Sequence, residues 1–267
     1  MTAMTVKDLQ DAKGKRTIAF VQVAREEEAI AASRAGMDMI GTAFVPARTH
    51  FAQAVPDTHF QFGLPWGQHA DATEALRTAM AAMTAGAQSI YCGYSPVIVE
   101  ALAREGVPVI CHVGLIPPKA TWTGGFRAVG KTAQQAKMTW QQVQDFENAG
   151  AFAVEMEVVA ADLATEITKR TSMLTISLGS GAGCDVQYLF SADLLGENRG
   201  HIPRHAKTYR NFAAERDRLQ TERVAAYSEY ISDVKGGAFP QDEHTVAMDA
   251  GILVDLFDDP VKTSTGG

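Results

Sequence analysis

Short apolar runs alternate along the chain with longer segments that are apolar on one side only. Several runs begin directly after a glycine, as in "TAGAQSIYCG", "REGVPVICHVG" and "NAGAFAVEMEVV". Glycine at such a position ends a helix in the left-handed conformation. The run that follows is too short for a helix and long enough for a buried strand. The pattern therefore predicts helices that lead directly into strands.

The same pattern continues through most of the chain. Further predicted strands are "TIAFVQVA", "RAGMDMIGT", "FQFGLPW" and "SMLTISLGSGAG", and predicted helices include "ATEALRTAMAAMT", "SPVIVEALARE" and "TAQQAKMTWQQVQDFENA". Strands that alternate with helices predict a parallel sheet whose strands are buried on both faces. At least six such strands in 267 residues favour an α/β fold of the (β/α)8 TIM-barrel type over an open doubly wound sheet.

The predicted domain organisation is a single barrel domain over residues 1–267. A C-terminal helical tail is predicted from about residue 210 to 267, because "NFAAERDRLQTERVAAYSEYISDV" has a helical pattern. No G-x-G-x-x-G motif opens a helix after an early strand, which disfavours a dinucleotide-binding fold.

Composition narrows the class of protein. The net charge is −7 and the basic residues are not clustered, so a nucleic-acid partner is not expected. No segment has the length of apolar sequence that spans a membrane, and "MTAMTVKDLQ" lacks the apolar region of a secretory signal. The three cysteines do not form a disulfide framework, which predicts a cytoplasmic location.

Candidate chemistry lies where the predicted strands end, since barrel active sites occupy the C-terminal ends of the strands. Glu155 and Glu157 interrupt an apolar run and are two residues apart, so both point to one face of a strand. A carboxylate facing the helix layer would be costly, so the lumen of the barrel is the expected location. There each acid would raise the pKa of the other.

Other polar residues offer alternatives. His50, His59 and His69 could recruit a metal together with Glu155 or Glu157, and imidazole suits Zn, Fe or Ni better than Mg. Cys92 ends a strand, but nothing beside it in the sequence lowers its pKa, so it is not expected to be a nucleophile. The "GSGAG" stretch could bind an anion through its backbone or form a tight turn.

Long motifs resemble one known family. "VPVICHVGLIPPKATWTGGFRAVGK" is similar to a family segment that runs G-H-L-G-L-T-P-Q and then G-G-Y-K-V-Q-G-R; "AGAFAVEMEVVAADLATEIT" is similar to A-G-A-x-x-x-V-L-E-C-V-P; "TISLGSGAGCDVQYLFSADLLG" is similar to I-G-I-G-A-G-x-x-x-D-G-Q-x-L-V-x-x-D-x-L-G. The family is ketopantoate hydroxymethyltransferase, of the phosphoenolpyruvate mutase/isocitrate lyase superfamily of barrels. "RGHIPRHAKTY" and "GGAFPQDEHT" resemble its closing segments, so the resemblance runs from about Ala85 to about Thr245.

The resemblance implies an activity and a set of partners. The family transfers a one-carbon unit from methylenetetrahydrofolate to the enolate of an α-keto acid, and it assembles as a decamer. It therefore implies a small-molecule α-keto acid or related carbonyl substrate, methylenetetrahydrofolate as co-substrate if the family activity is retained, and a homo-oligomer. Glu157 falls on the family's catalytic glutamate, His112 on its G-H-L-G histidine and Asp185 on its D-G-Q aspartate.

The sequence departs from the family at the metal ligands. Where the resemblance implies Mg²⁺ carboxylates, this chain has Thr42 or a neighbour, Gly63 and Gly93, and Tyr91 replaces a lysine. Mg²⁺ needs hard oxygen ligands. We therefore predict no metal site. The predicted catalytic residues are Glu157 and, as an accessory, Glu155.

The predicted substrate-binding residues are the four at these departures together with the family histidine: Thr42, Gly63, Tyr91, Gly93 and His112.

Three functional hypotheses follow. The first is an enzyme that makes or breaks a C–C bond next to a carbonyl without Mg²⁺, by aldol or retro-aldol chemistry. The second is a lyase or hydrolase of the same superfamily that acts on a different carbonyl or carboxylate substrate. The third is a barrel that binds a metabolite without catalysis.

Overall fold

Eight parallel strands close into a barrel in the computed structural model, which describes residues 2–249 and 251–252. The strands follow one another in chain order, and the last pairs with the first. The strands are β1 (Ile18–Gln22), β2 (Met39–Ala43), β3 (His59–Gly63), β4 (Ser89–Tyr91), β5 (Val109–Gly114), β6 (Ala153–Glu157), β7 (Leu174–Leu178) and β8 (Val186–Phe190). The predicted (β/α)8 TIM barrel is confirmed.

Helices occupy most of the connections. In the described residues they are α1 (Val6–Ala12), α2 (Glu26–Arg34), α3 (Phe51–Ala54), α4 (Ala72–Thr84), α5 (Pro96–Arg104), α6 (Ala120–Thr123), α7 (Ala133–Asn148), α8 (Ala161–Arg170), α9 (Ser191–Leu195) and α10 (Phe212–Gly236), with short 3-10 helices at Pro46–Arg48, Pro117–Lys119 and Asp242–His244. The link between β7 and β8 contains no helix. Our sequence analysis did not identify β8, because neither a helix nor a helix-ending glycine precedes it.

Two apolar layers hold the barrel together. Side chains that point inward from alternate strand positions, among them Phe20, Ile110 and Ile176, fill the lumen. Outward side chains such as Ile90 pack against the helices. Full burial of each large apolar side chain contributes roughly 1.5–3 kcal/mol. The lumen below the site is therefore a packed core.

The N-terminal end of the barrel is closed by α1 and a buried ion pair. Leu9 of α1 is fully buried in the lumen layer. The Asp185 carboxylate, just before β8, accepts from Lys13 Nζ at 2.8 Å and from the Thr175 hydroxyl at 2.8 Å. Asp185 therefore lies at the end of the barrel opposite the C-terminal ends of the strands. Its match to the family motif reflects a structural contact in this chain.

The chain divides into two compact units. The first spans Met1–Phe212 and contains the barrel, and the second begins at Ala213 and contains most of α10. α10 lies within the C-terminal tail predicted from about residue 210 to 267, and residues 250 and 253–267 of that tail lie outside the described residues. No helix in the described part of the chain is long and apolar enough to cross a membrane. The single domain, the homo-oligomer and the cytoplasmic location stay predictions.

Candidate active site

The two glutamates of β6 face the lumen, as strand alternation predicts. The register pairs Glu155 with His112 and Glu157 with Gly114 on β5. Ala153, which shares their face of β6, belongs to the lumen layer. Glu155 is buried, whereas the side chain of Glu157 is 13% exposed at the open end of the strand. Glu157 is therefore the acid that a substrate can reach.

His112 lies between the two carboxylates. Its Nδ1 is 3.5 Å from Oε1 of Glu155, and its Nε2 is 3.6 Å from Oε2 of Glu157. Its Nε2–H donates to the carbonyl oxygen of Leu115 at 2.7 Å, since a carbonyl can only accept. Nδ1 is then the acceptor for the Tyr91 hydroxyl at 2.8 Å. Burial lowers the pKa of His112 to about 4, so the ring is neutral at physiological pH.

The environment separates the two glutamates in pKa. Burial raises the pKa of Glu157 to about 7. Burial and, second, the charge of Glu157 raise the pKa of Glu155 well above its ordinary value. We infer that Glu157 ionises before Glu155, because Glu155 is the more deeply buried and has the charge of Glu157 beside it. Our sequence analysis expected each acid to raise the pKa of the other; the charge of Glu157 does raise the pKa of Glu155, which in its protonated form can donate a hydrogen bond.

Replacing Glu155 with glutamine tests this order. If Glu155 stays protonated near neutrality, the Glu155→Gln variant should keep the acidic limb of its pH–rate profile near the pKa of Glu157, about 7. The alkaline limb, where Glu155 would lose its proton, should move up or disappear. Rates of proton exchange measured across the pH range check this, with the exposed Glu100→Gln as the control. A clear downward shift of the acidic limb would show that Glu155 is ionised in the wild type.

The backbone around Glu157 is tightly constrained. A Cβ on Gly114, which has φ +95°, would lie 2.3 Å from the carbonyl oxygen of Glu157, so only glycine allows β5 and β6 to approach this closely. Val158, the next residue after the strand, has φ +51°. A β-branched residue in this region is strained, and such strain concentrates at functional sites. The chain thus turns away sharply and leaves the Glu157 side chain at the mouth of the lumen.

Tyr91 fills the space beside two of the predicted substrate-binding glycines. A Cβ on Gly63 would lie 3.4 Å from the Tyr91 ring, and one on Gly93 would lie 3.1 Å from its hydroxyl oxygen. A longer side chain at either position would compete with the tyrosine for this space. The two glycines therefore make room for Tyr91, and we no longer assign them direct contact with the substrate. Burial and, second, the charge of Glu155 raise the pKa of Tyr91 well above 10, so its hydroxyl stays protonated.

Thr42 does not join the lumen cluster, which corrects our assignment of it to substrate binding. In β2, Gly41 faces the lumen, against Phe20 and the amide of Gln61, and Thr42 points to the opposite side. The Thr42 hydroxyl donates to the carbonyl oxygen of Val23 at 2.8 Å. It also accepts from the Arg48 guanidinium at 3.2 Å.

The alternative metal site with three histidines is wrong. His50 lies 3.6 Å from Glu26 at the surface. His59 is buried between Met4 and Ser89 at the N-terminal end of β3. His69 is bonded to the hydroxyls of Tyr94 and Thr78. None of them lies in the cluster of possible ligands, in the described residues, that contains Glu155 and Glu157.

The structure also bears on Cys92 and on the "GSGAG" stretch. Burial raises the pKa of Cys92 to about 11, which agrees with the view that it is not a nucleophile. In the "GSGAG" stretch, a Cβ on Gly179 would meet His205 at 2.7 Å and one on Gly183 would meet Thr165 at 2.0 Å. The Ser180 amide donates to the Ser177 hydroxyl. Close packing of a tight turn accounts for these glycines.

The donor set does not fit the Mg²⁺ site that the resemblance implies. Gly63 and Gly93 supply no oxygen ligand, and the space beside them holds the Tyr91 ring. In the described residues, the group of possible ligands is His112, Glu155 and Glu157, whose atoms lie within 4.8 Å of one another. Both nitrogens of His112 are already hydrogen-bonded, and imidazole is a poor ligand for Mg²⁺.

A cavity of about 990 Å³ opens beside Glu157. Its wall includes Arg127, Lys131 and Arg204, together with His201 and His205. Our sequence analysis did not identify these basic residues as a group. The sequence feature that could have indicated them is the density of basic residues in "FRAVGK" and "RGHIPRHAK". Nothing in the sequence shows that these two segments meet in the fold.

Solved structures of the phosphoenolpyruvate mutase/isocitrate lyase superfamily have a similar barrel fold. The chain is similar to the crystal structure of 2,3-dimethylmalate lyase, a member of that superfamily, with a TM-score of 0.52 and 14% identity over 96% of this chain and 95% of that one. It is also similar to phosphonopyruvate hydrolase in complex with oxalate and Mg²⁺, with a TM-score of 0.53 and 14% identity over 96% of each chain. These likenesses show the fold.

Sequence comparison gives the family. The model of the ketopantoate hydroxymethyltransferase family matches residues 42–242, and the chain belongs to this family. A 3-methyl-2-oxobutanoate hydroxymethyltransferase of Deinococcus radiodurans is 34% identical over 232 residues, which cover 83% of this chain and 79% of the relative. One of Enterococcus faecalis is 37% identical over 159 residues, which cover 60% and 55%. The chain thus spans about half the length of the Enterococcus relative.

Proposed function

We propose that the protein makes or breaks a C–C bond next to a carbonyl, as a hydroxymethyltransferase-like enzyme. The observation that carries the proposal is Glu157: a carboxylate at the mouth of the lumen with a pKa of about 7, on a chain of this family. A base is most effective when its pKa lies near the working pH.

The proposed reaction begins with proton transfer. The Glu157 carboxylate takes a proton from the carbon next to the carbonyl of an α-keto acid, and the C–H electrons form an enolate. The enolate carbon then bonds to a one-carbon electrophile. If the co-substrate is methylenetetrahydrofolate, as in the family, a C–N bond of that co-substrate breaks. The reverse sequence is retro-aldol cleavage.

The enolate oxygen needs a partner for its negative charge. We propose that the Tyr91 hydroxyl donates to it, by rotating away from Nδ1 of His112. Protonated Glu155, whose Oε1 is 3.5 Å from Nδ1, can then supply the hydrogen bond that the histidine loses. A hydrogen-bond donor to a developing oxyanion is among the largest contributions to catalysis.

Proton exchange in D₂O tests the proposal without the folate. Incubated with 3-methyl-2-oxobutanoate, the protein should catalyse deuterium incorporation at C3, because exchange requires only enolisation. The rate should be the same in EDTA and in added Mg²⁺. Exchange that requires Mg²⁺ would contradict the metal-free mechanism. If no short α-keto acid exchanges, a different superfamily reaction or a non-catalytic binding role replaces our proposal.

A further inference from the structure

The cavity beside Glu157 carries an excess of positive charge. Arg127, Lys131 and Arg204 lie on its wall, and among the described residues Glu157 is the acidic side chain that lines it. Three cations facing one acid in a concave space create a positive potential that attracts anions.

These cations are not engaged by the protein itself. In the part of the chain that the structure describes, no carboxylate lies within ion-pair distance of Arg127, Lys131 or Arg204. All three residues are exposed. The basic side chains of the cavity therefore remain available to a ligand.

The N-terminus of α7 reinforces the same charge. Lys131 and Thr132, which precede the helix, and Gln135 in its first turn line the cavity. Thr132 caps the helix by accepting from the Gln135 amide at 3.2 Å. The 16 residues of α7 give this end the partial positive charge of a helix dipole. The helix end and the basic side chains thus add positive potential to the same cavity.

Apolar side chains also line the cavity. Leu115 and Leu178, which contact the strand end at Glu157, line the cavity together with Phe126 and Phe190. Phe126 is 75% exposed and Phe190 is 39% exposed. Large apolar side chains at the wall of an open cavity are typical of a ligand-binding surface. The cavity therefore offers an apolar spacer region as well as an anion-binding wall.

We propose that this cavity binds an anionic group carried by the substrate on an apolar spacer, remote from the carbonyl that reacts at Glu157. The recognised chemistry is a carboxylate or a phosphate. The inference rests on the proposed function for the position of the reacting carbonyl. The binding of the anion itself does not depend on catalysis.

Titration calorimetry at low ionic strength tests the proposal with three probes: 2-oxoglutarate, inorganic phosphate and the monoanion 2-oxobutanoate. Each charge-assisted contact is expected to strengthen binding about tenfold. The double variant Arg127→Gln/Arg204→Gln should therefore bind the dianion about a hundredfold more weakly than the wild type does. The control Arg77→Gln/Lys137→Gln makes the same charge change on exposed residues outside the cavity and should leave the affinity near that of the wild type.

The probes separate the two sources of negative charge. If 2-oxoglutarate binds more tightly than 2-oxobutanoate, the anionic group of the substrate is a second carboxylate. If phosphate binds tightly and this binding is lost in the double variant, the anionic group is a phosphate. If neither dianion binds, or if the double variant binds them as the wild type does, the proposal is wrong. Binding measured in Glu157→Gln keeps this outcome distinct from failure of the proposed function, because that variant removes the base and leaves the cations.

Discussion

Replacing Glu157 with glutamine should lower the rate of enolisation by about 10²–10⁴-fold. Glutamine keeps the size of the side chain but cannot accept the proton. The loss should appear in deuterium exchange at C3 of the keto acid and in any complete turnover. The wild-type rate should rise with pH through about 7, the pKa to which burial raises Glu157, because only the ionised carboxylate is a base.

The same substitution should stabilise the fold at alkaline pH. Glu157 has its pKa raised from 4.5 to about 7 in the folded protein, so its favourable contribution is complete below 4.5 and is lost as the pH rises through about 7. A glutamine does not ionise. The variant should therefore be more stable than the wild type above that pH, by up to about 3 kcal/mol at 1.36 kcal/mol per pKa unit.

Thermal unfolding at acidic and alkaline pH measures this difference, with Glu100→Gln as an exposed control. The two effects of Glu157→Gln are opposite in sign. Lost activity in a stabilised protein cannot be attributed to unfolding. If Glu157→Gln exchanged deuterium at nearly the wild-type rate, another residue would be the base, and the family's mechanism would not apply to this chain.

Sequence reasoning identified this glutamate because two independent signals coincide there. Alternation along β6 placed Glu157 in the lumen at the C-terminal end of a barrel strand, where an acid indicates catalysis, and the family resemblance implies the catalytic glutamate at the same position. The pairing of His112 with Glu155 could not be read from the sequence, since it depends on the register between β5 and β6. Their order of ionisation depends in turn on how deeply each carboxylate is buried.

Thr42 lies on a strand whose apolar and polar positions do not alternate, so its direction could not be predicted from the sequence. The run "MDMIGT" is apolar or small throughout, so it does not reveal which residues face the lumen. The structure places Gly41 inward and Thr42 outward. The cavity cations were beyond prediction for another reason. Arg127 and Arg204 lie in connections far apart in the sequence, and only the closed barrel brings them to one wall.

The substitutions at Gly63, Tyr91 and Gly93 act together. Compared with the family, each of the three positions has separately lost a charged side chain. In the structure, a Cβ on either glycine would contact Tyr91, so the tyrosine occupies a space that both glycines leave open. The three changes thus exchange one chemical group for another. A phenol hydroxyl, held by a neutral histidine, stands where the resemblance implies charged residues.

Replacing Tyr91 with phenylalanine should therefore lower the enolisation rate by about 10²–10³-fold, the usual cost of removing one donor to a developing oxyanion. Phenylalanine keeps the ring that fills the space beside the two glycines. The variant should then fold normally, and its loss should be in kcat more than in KM, because the hydroxyl acts on charge that develops in the transition state. Exchange rates over a range of keto acid concentrations measure both constants.

Tyr188→Phe provides the matched control. Tyr188 also lies in the lumen layer and loses the same hydroxyl, but that hydroxyl donates to Gln22 and not to His112. If Tyr91 only fills space, both variants should retain near wild-type rates, and the enolate must be stabilised by another group. If added Mg²⁺ restores the rate of Tyr91→Phe, the hydroxyl is dispensable where a metal can act. A loss confined to Tyr91→Phe and unaffected by Mg²⁺ assigns the electrophile to the tyrosine, because that hydroxyl is the one difference between variant and wild type at the site.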